Sequence, residues 1–162
     1  MKTEYEINAE FQKDVNALVE DKTMVEFNPI REQELRIVAV ICTRTNNEGE
    51  HEQPKGCPIK CTKLSPIIQL LTEQHYLVVG DYYFWTHANE IQKKAAIHRA
   101  LMTINVEKSK TGEIKLKTRK PEIQEHRATI ARFGAFSEEL VDMKEAFKMA
   151  AKQFTESQKP KA

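Results

Sequence analysis

Cysteine is scarce in this 162-residue chain, and its three copies are an odd number. A complete disulfide framework is therefore not expected. Long apolar runs are missing too: none approaches the ~20 residues that cross a bilayer. Residues 1–6, Met-Lys-Thr-Glu-Tyr-Glu, lack the apolar core of a secretory signal, so a cytoplasmic site of synthesis is the expectation. Net charge is nearly absent, at a formal +1. That removes any global electrostatic case for nucleic acid or a membrane surface. There is no glycine-rich phosphate loop, no Gly-x-Ser-x-Gly, no internal repeat and no low-complexity segment. Nucleotide hydrolysis and serine-hydrolase chemistry have no signature here.

What is present is an ordinary globular mixture, 40% hydrophobic and 30% charged, of a length that suits one domain. The expected plan is a flexible arm over residues 1–9, a domain over residues 10–151 and a flexible tail over residues 152–162. The charge is unevenly spread. Residues 1–34 hold four Lys or Arg against nine Asp or Glu, and residues 108–120 hold six against one. Two solvated faces are the plain reading, because surface charge contributes little to stability; steering of a partner is the alternative.

Phe11, Val15, Leu18 and Val19 follow helical spacing and predict an amphipathic helix over residues 8–20. Residues 26–34 read as a connector in which Pro29 stops regular structure. Residues 35–43 are β-branched and apolar almost throughout, which predicts a central strand. Residues 57–63 alternate apolar and polar, and a long-tipped β-hairpin would join these two strands. Ser65-Pro66 is a helix start, with Ile67, Ile68, Leu70 and Leu71 as its buried side. Tyr76 to Val79 leads across Gly80 into a buried strand over residues 81–86. Residues 88–104 then form a helix that is apolar on two sides. Ile91, Ala95, His98 and Met102 make one stripe, and Ile97, Leu101 and Ile104 the other. Lys110-Thr111-Gly112 turns a small hairpin. Pro121 opens a helix that reaches Phe133 and ends at Gly134. Ser137 caps a last helix, with Phe136, Leu140, Met143, Phe147, Ala150 and Phe154 as its stripe. Strands linked by hairpins rather than by regular βαβ units imply an α+β fold.

The order of these parts, with the stretches Pro54-Lys55-Gly56-Cys57-Pro58-Ile59-Lys60-Cys61-Thr62-Lys63, Asp81-Tyr82-Tyr83-Phe84-Trp85, Ile114-Lys115-Leu116 and Ile130-Ala131-Arg132-Phe133-Gly134, resembles the putative phage metallopeptidase family. The resemblance implies a zincin-like fold: a small mixed sheet, a buried central helix and C-terminal helices. It also implies a His-Glu-x-x-His helix, in which two histidines one turn apart hold zinc and the glutamate activates water. At that place this chain reads His98-Arg99-Ala100-Leu101-Met102. An arginine cannot take a proton from water, and a thioether is a weak zinc ligand. The resemblance places Pro121 at the third ligand, followed by Glu122, and proline has no side-chain ligand atom. His98, Arg99, Met102, Pro121 and Glu122 are thus expected to be vestigial active-site positions, with no catalytic residue, no metal and no cofactor.

The leading expectation is a non-catalytic, protein-binding accessory or virion-associated factor of phage origin, in the host cytoplasm or the virion, with no membrane contact. The first alternative is a metal-dependent hydrolase with displaced ligands, the one reading that calls for zinc. Glu122, Glu125 and His126 lie within about a helical turn of one another, and Cys57 and Cys61, with Cys42 and His51 nearby, form a second cluster. The plain readings are an exposed charged helix face and small buried apolar thiols. The second alternative is a nucleic-acid binder that uses Lys108, Lys110, Lys115, Lys117, Arg119 and Lys120, with the aromatics of residues 82–85 stacking on bases.

Overall fold

Apolar side chains at every second position build the centre of the molecule. In the computed structural model, which describes residues 1–120 and 127–134 together with Val141, Glu145 and Lys148, strand β2 (Ile37–Thr45) buries Ile37, Ala39 and Ile41 on one face; it is flanked in the sheet by β1 (Lys2–Ile7) and β4 (Tyr76–Asp81), and β3 (Ile59–Lys63) pairs with β4. The sheet order is β1-β2-β4-β3. β2 and β4 run parallel, with Ile37 opposite Tyr76 and Ile41 opposite Gly80. β1 and β3 pair antiparallel on the two edges.

Helix α1 (Ala9–Glu20) covers one face with Phe11, Val15 and Leu18, and Asn8 caps it by accepting the Phe11 N–H. After a 3-10 turn (Val25–Phe27) and the short α2 (Asn28–Glu32), the chain enters the sheet. Between β3 and β4 lies α3 (Pro66–Thr72), and α4 (Tyr82–His87) follows β4. Helix α5 (Glu90–Leu101) packs beside α1 over β3. Its start is set by a reciprocal cap between Asn89 and Gln92. The hairpin of β5 (Ile104–Lys108) and β6 (Ile114–Thr118) is docked by two bonds, Tyr76 Oη to the Lys117 carbonyl at 2.7 Å and Lys63 Nζ to the Leu116 carbonyl at 2.9 Å. Helix α6 (Arg127–Phe133) packs on α5. Gly134 ends it with φ +67°, a left-handed conformation that glycine takes without a Cβ penalty.

The α+β class, with a mixed sheet and several helices, agrees with the sequence expectation, and several elements differ from it. Residues 2–7, expected to be part of an arm, pair with Val40–Thr45 of β2. Pro29 sits in the first turn of α2 rather than stopping regular structure, since the first turn has no backbone bond for proline to remove. Residues 35–43 and 57–63 do not pair as a hairpin, because the apolar β4 inserts between them. The aromatic run is helix rather than strand. Asp81 ends β4 and caps α4 by accepting the Phe84 N–H, and Trp85 turns into the core against Phe11 with ring centroids 4.8 Å apart. Ile91 is exposed, and Ile104 belongs to β5. The apolar residues of α3 are exposed.

Pro121, Glu122, Glu125 and His126 lie outside the described residues, as do the stripe of the expected last helix and the tail over 152–162. Val141, Glu145 and Lys148, all off that stripe, are helical and exposed. Among the described residues no helix is long and apolar enough to cross a membrane.

Gly80 marks the tightest contact of sheet and helix. A Cβ there would lie 3.0 Å from the Phe11 ring and 3.2 Å from Ile41 Cδ1. Gly80→Ala is therefore expected to lower stability by about 1–3 kcal/mol, measured by urea unfolding. An unchanged midpoint would mean that the Phe11 ring moves aside without cost.

Candidate functional site

The face of α5 that meets α6 carries His98, which has no solvent exposure. An imidazole in such a place must satisfy both nitrogens, because an unbonded buried polar atom costs about 1–3 kcal/mol. Both are satisfied. Nε2 lies 2.6 Å from Glu26 Oε1 and Nδ1 lies 2.7 Å from Thr129 Oγ1. Phe27 and Phe133 flank the ring, with centroids 5.0 and 5.4 Å away.

Glu26 is in turn held by Arg132. The guanidinium meets the carboxylate with two nitrogens, Nε to Oε1 at 2.5 Å and Nη2 to Oε2 at 2.8 Å, and Nη2 also donates to the Thr23 carbonyl at 2.8 Å. This fork is the strong form of the pair. Chiefly through Arg132, and with a smaller contribution from His98, the Glu26 carboxyl is pulled down to about 2. Burial pushes the His98 imidazole below its usual range, against the opposing pull of Glu26.

These directions fix the protons. An anionic Glu26 can only accept, so Nε2 carries the hydrogen. A neutral His98 then has a bare Nδ1, and the Thr129 hydroxyl donates to it. The lone pair that a metal would need is already engaged.

The other residues of the pentapeptide are committed as well. Arg99 donates through Nη1 to Cys57 Sγ. Met102 is buried, and Arg119 takes its carbonyl at 2.7 Å and approaches its sulfur at 3.8 Å. A zinc site at the positions that the resemblance implies would take a free nitrogen on His98 and a ligand atom at Met102, with a base at position 99 to activate water. These three side chains do not fit it. Pro121 and Glu122, the other two expected positions, are outside the described residues.

The cysteines are no better placed to bind metal. Burial pushes the Cys61 thiol up to about 12, so it stays protonated at neutral pH, whereas a metal needs thiolate. The Cys57 thiol lies 2.9 Å from the Ile59 carbonyl and receives Arg99. Cys42 is buried, and the His51 ring lies over Tyr82, 4.7 Å between centroids. Among the described residues, no group of three or more His, Cys, Asp or Glu could hold a metal ion.

The basic hairpin is also partly spent. Lys117 pairs with Glu107 at 2.6 Å, and Arg119 is turned to Met102. Lys108, Lys110, Lys115 and Lys120 are exposed. Of the aromatics, Trp85 is in the core, and Tyr82, Tyr83 and Phe84 are half-buried in α4.

Sequence reasoning did not find Glu26, Thr129 or Arg132. Glu26 is 72 residues from His98 and stands in what reads as a connector. The only local hint is that a buried histidine demands two partners.

The sequence profile of the putative phage metallopeptidase family matches residues 3–151. No curated protein and no solved structure matches the chain.

Acid is expected to loosen this site in two steps. Below the ordinary imidazole value of 6.5, an unfolded His98 takes a proton that the folded one resists, so stability falls as pH falls through that region. Glu26 contributes fully above its ordinary 4.5 and loses its contribution as pH falls toward 2, a step on the order of 3 kcal/mol. Urea midpoints followed from pH 7 to pH 3 check this. His98→Gln should flatten the upper step and Glu26→Gln the lower; unchanged profiles would contradict the network.

Proposed function

The chain belongs to the putative phage metallopeptidase family, and from that premise we propose that it is a non-catalytic member, a protein-binding factor on a zincin-like frame. His98, Arg99, Met102, Pro121 and Glu122 are then vestigial positions of a lost zinc site. The observation that carries this reading is the double engagement of His98, by Glu26 at one nitrogen and Thr129 at the other. Freeing Nδ1 for a cation means breaking a buried hydrogen bond and rotating a ring that sits between two phenylalanines. An arginine at the general-base position also brings a permanent positive charge, which disfavours a nearby cation.

A protein partner is favoured over nucleic acid. The net charge is +1, and two of the six hairpin cations are already paired or bonded within the fold. Binding to phosphate backbones gains its affinity from free cations. The role that fits is an accessory or virion-associated factor, acting in the host cytoplasm or in the virion.

Metal analysis of the purified chain after dialysis against zinc tests this reading. Less than ~0.1 zinc per chain is expected, since one imidazole does not retain the ion. Near-stoichiometric zinc that disappears with His98→Ala would overturn it in favour of a hydrolase with relocated ligands.

A further inference from the structure

Helix α3 turns its apolar side chains to solvent. Ile67, Leu70 and Leu71 are 71, 83 and 74% exposed, and Ile68 is 41% exposed. No residue of the helix is buried, and none is charged. Helix propensity does not call for this composition, since polar residues would serve an exposed helix as well. At the ~200 Å2 that a full Ile or Leu offers, the patch amounts to roughly 500 Å2, the size at which an exposed apolar surface marks an interaction site. Beside it lies an open groove of about 390 Å3 lined by the apolar Leu35, Pro66, Ile114 and Leu116 and by as many polar side chains, Lys63 and His75 among them. The bond from Lys63 to the Leu116 carbonyl ties β6 to β3 along this groove.

We propose that α3 and this groove form a two-fold contact with a second copy of the chain. Three features select that occupant. First, protruding leucines stand beside a recess with an apolar side (Leu35, Pro66, Ile114, Leu116), so each copy can set its leucines against that side of the other's recess, as a contact made by the same patch on both subunits requires. Second, α3 carries no charge, and Arg36 and Glu73 at its C-terminal end neutralise each other at 2.6 Å. A two-fold axis passing beside the helix therefore brings no unpaired like charges of α3 together, whereas the helix offers no charged group to a charged partner. Third, two such patches can remove at most roughly 1,000 Å2 from water, the size of a weak contact that dissociates on dilution. The contact lies on α3 and does not depend on what His98 does.

Sedimentation equilibrium of the full chain across a dilution series tests the proposal, with hydrogen exchange at α3 read in parallel. The expected result is a dimer at about 100 µM that dissociates on dilution, with the α3 amides protected only in the dimer. Leu70→Glu, a change at an exposed position, should weaken association at least tenfold and leave the circular dichroism unchanged. Ile67→Glu provides the same readout from the neighbouring turn. A dimer that neither variant weakens would overturn the proposal. A chain that stays monomeric at about 100 µM would also overturn it. In that case, α3 amides protected at every dilution would point to another segment of the same chain as the cover. Unprotected amides would point to a surface kept for a different partner.

Discussion

A neutral imidazole hydrogen-bonded to an anionic carboxylate inside the protein is the constraint from which the rest of the site follows. The bond between His98 and Glu26 joins residues 72 apart and ties α5 to the 3-10 turn after α1. A carboxylate drawn partly out of water beside a buried ring is best tolerated when its charge is matched and its oxygens are occupied. Arg132 supplies the charge from α6, and Thr129 on the same helix closes the far side of the ring. One polar cluster thus fixes three elements that share no backbone ladder. The rings of Phe27 and Phe133 pack against the imidazole and keep water from it, while Arg132 closes the solvent side of Glu26.

The cluster has the parts of a metal site arranged to a different end. A metal-binding histidine commonly donates one N–H to a carboxylate and presents its other nitrogen to the cation. Here Glu26 plays the carboxylate's part, and the Thr129 hydroxyl stands where the cation would be. On the proposed reading, a proton donor in that position makes a structural cross-tie of what would otherwise be a ligand. Arg99 and Met102 point the same way: one carries a permanent positive charge to Cys57, and the other is covered by Arg119.

How legible each part was depended on how local its cause is. The α1 stripe of Phe11, Val15 and Leu18 and the apolar run of β2 were readable because periodicity alone decides them. The family was readable because short contiguous stretches carry it, and its profile matches residues 3–151. Strand neighbours were not: the exchange of a β2–β3 hairpin for β4 at the centre is decided by which apolar strand the helices can cover. The aromatic run misled because its β propensity is high, while the Asp81 cap that makes it a helix is a single side-chain bond. The apolar residues of α3 pointed to burial, and their exposure reflects how the loop between β3 and β4 sits, which no local pattern encodes. Glu26 and Arg132 were invisible for the same reason, since a charged pair 106 residues apart leaves no mark in sequence spacing.

The proton on His98 is the most direct witness to the account. Long-range nitrogen–proton NMR of the imidazole, assigned with His98→Gln, reports which ring nitrogen is protonated and whether zinc alters it. A neutral ring at pH 7 with its hydrogen on Nε2, and spectra indifferent to added zinc, are the expected result. A ring with an unprotonated Nε2, or one whose nitrogen shifts move in proportion to added zinc, would contradict it.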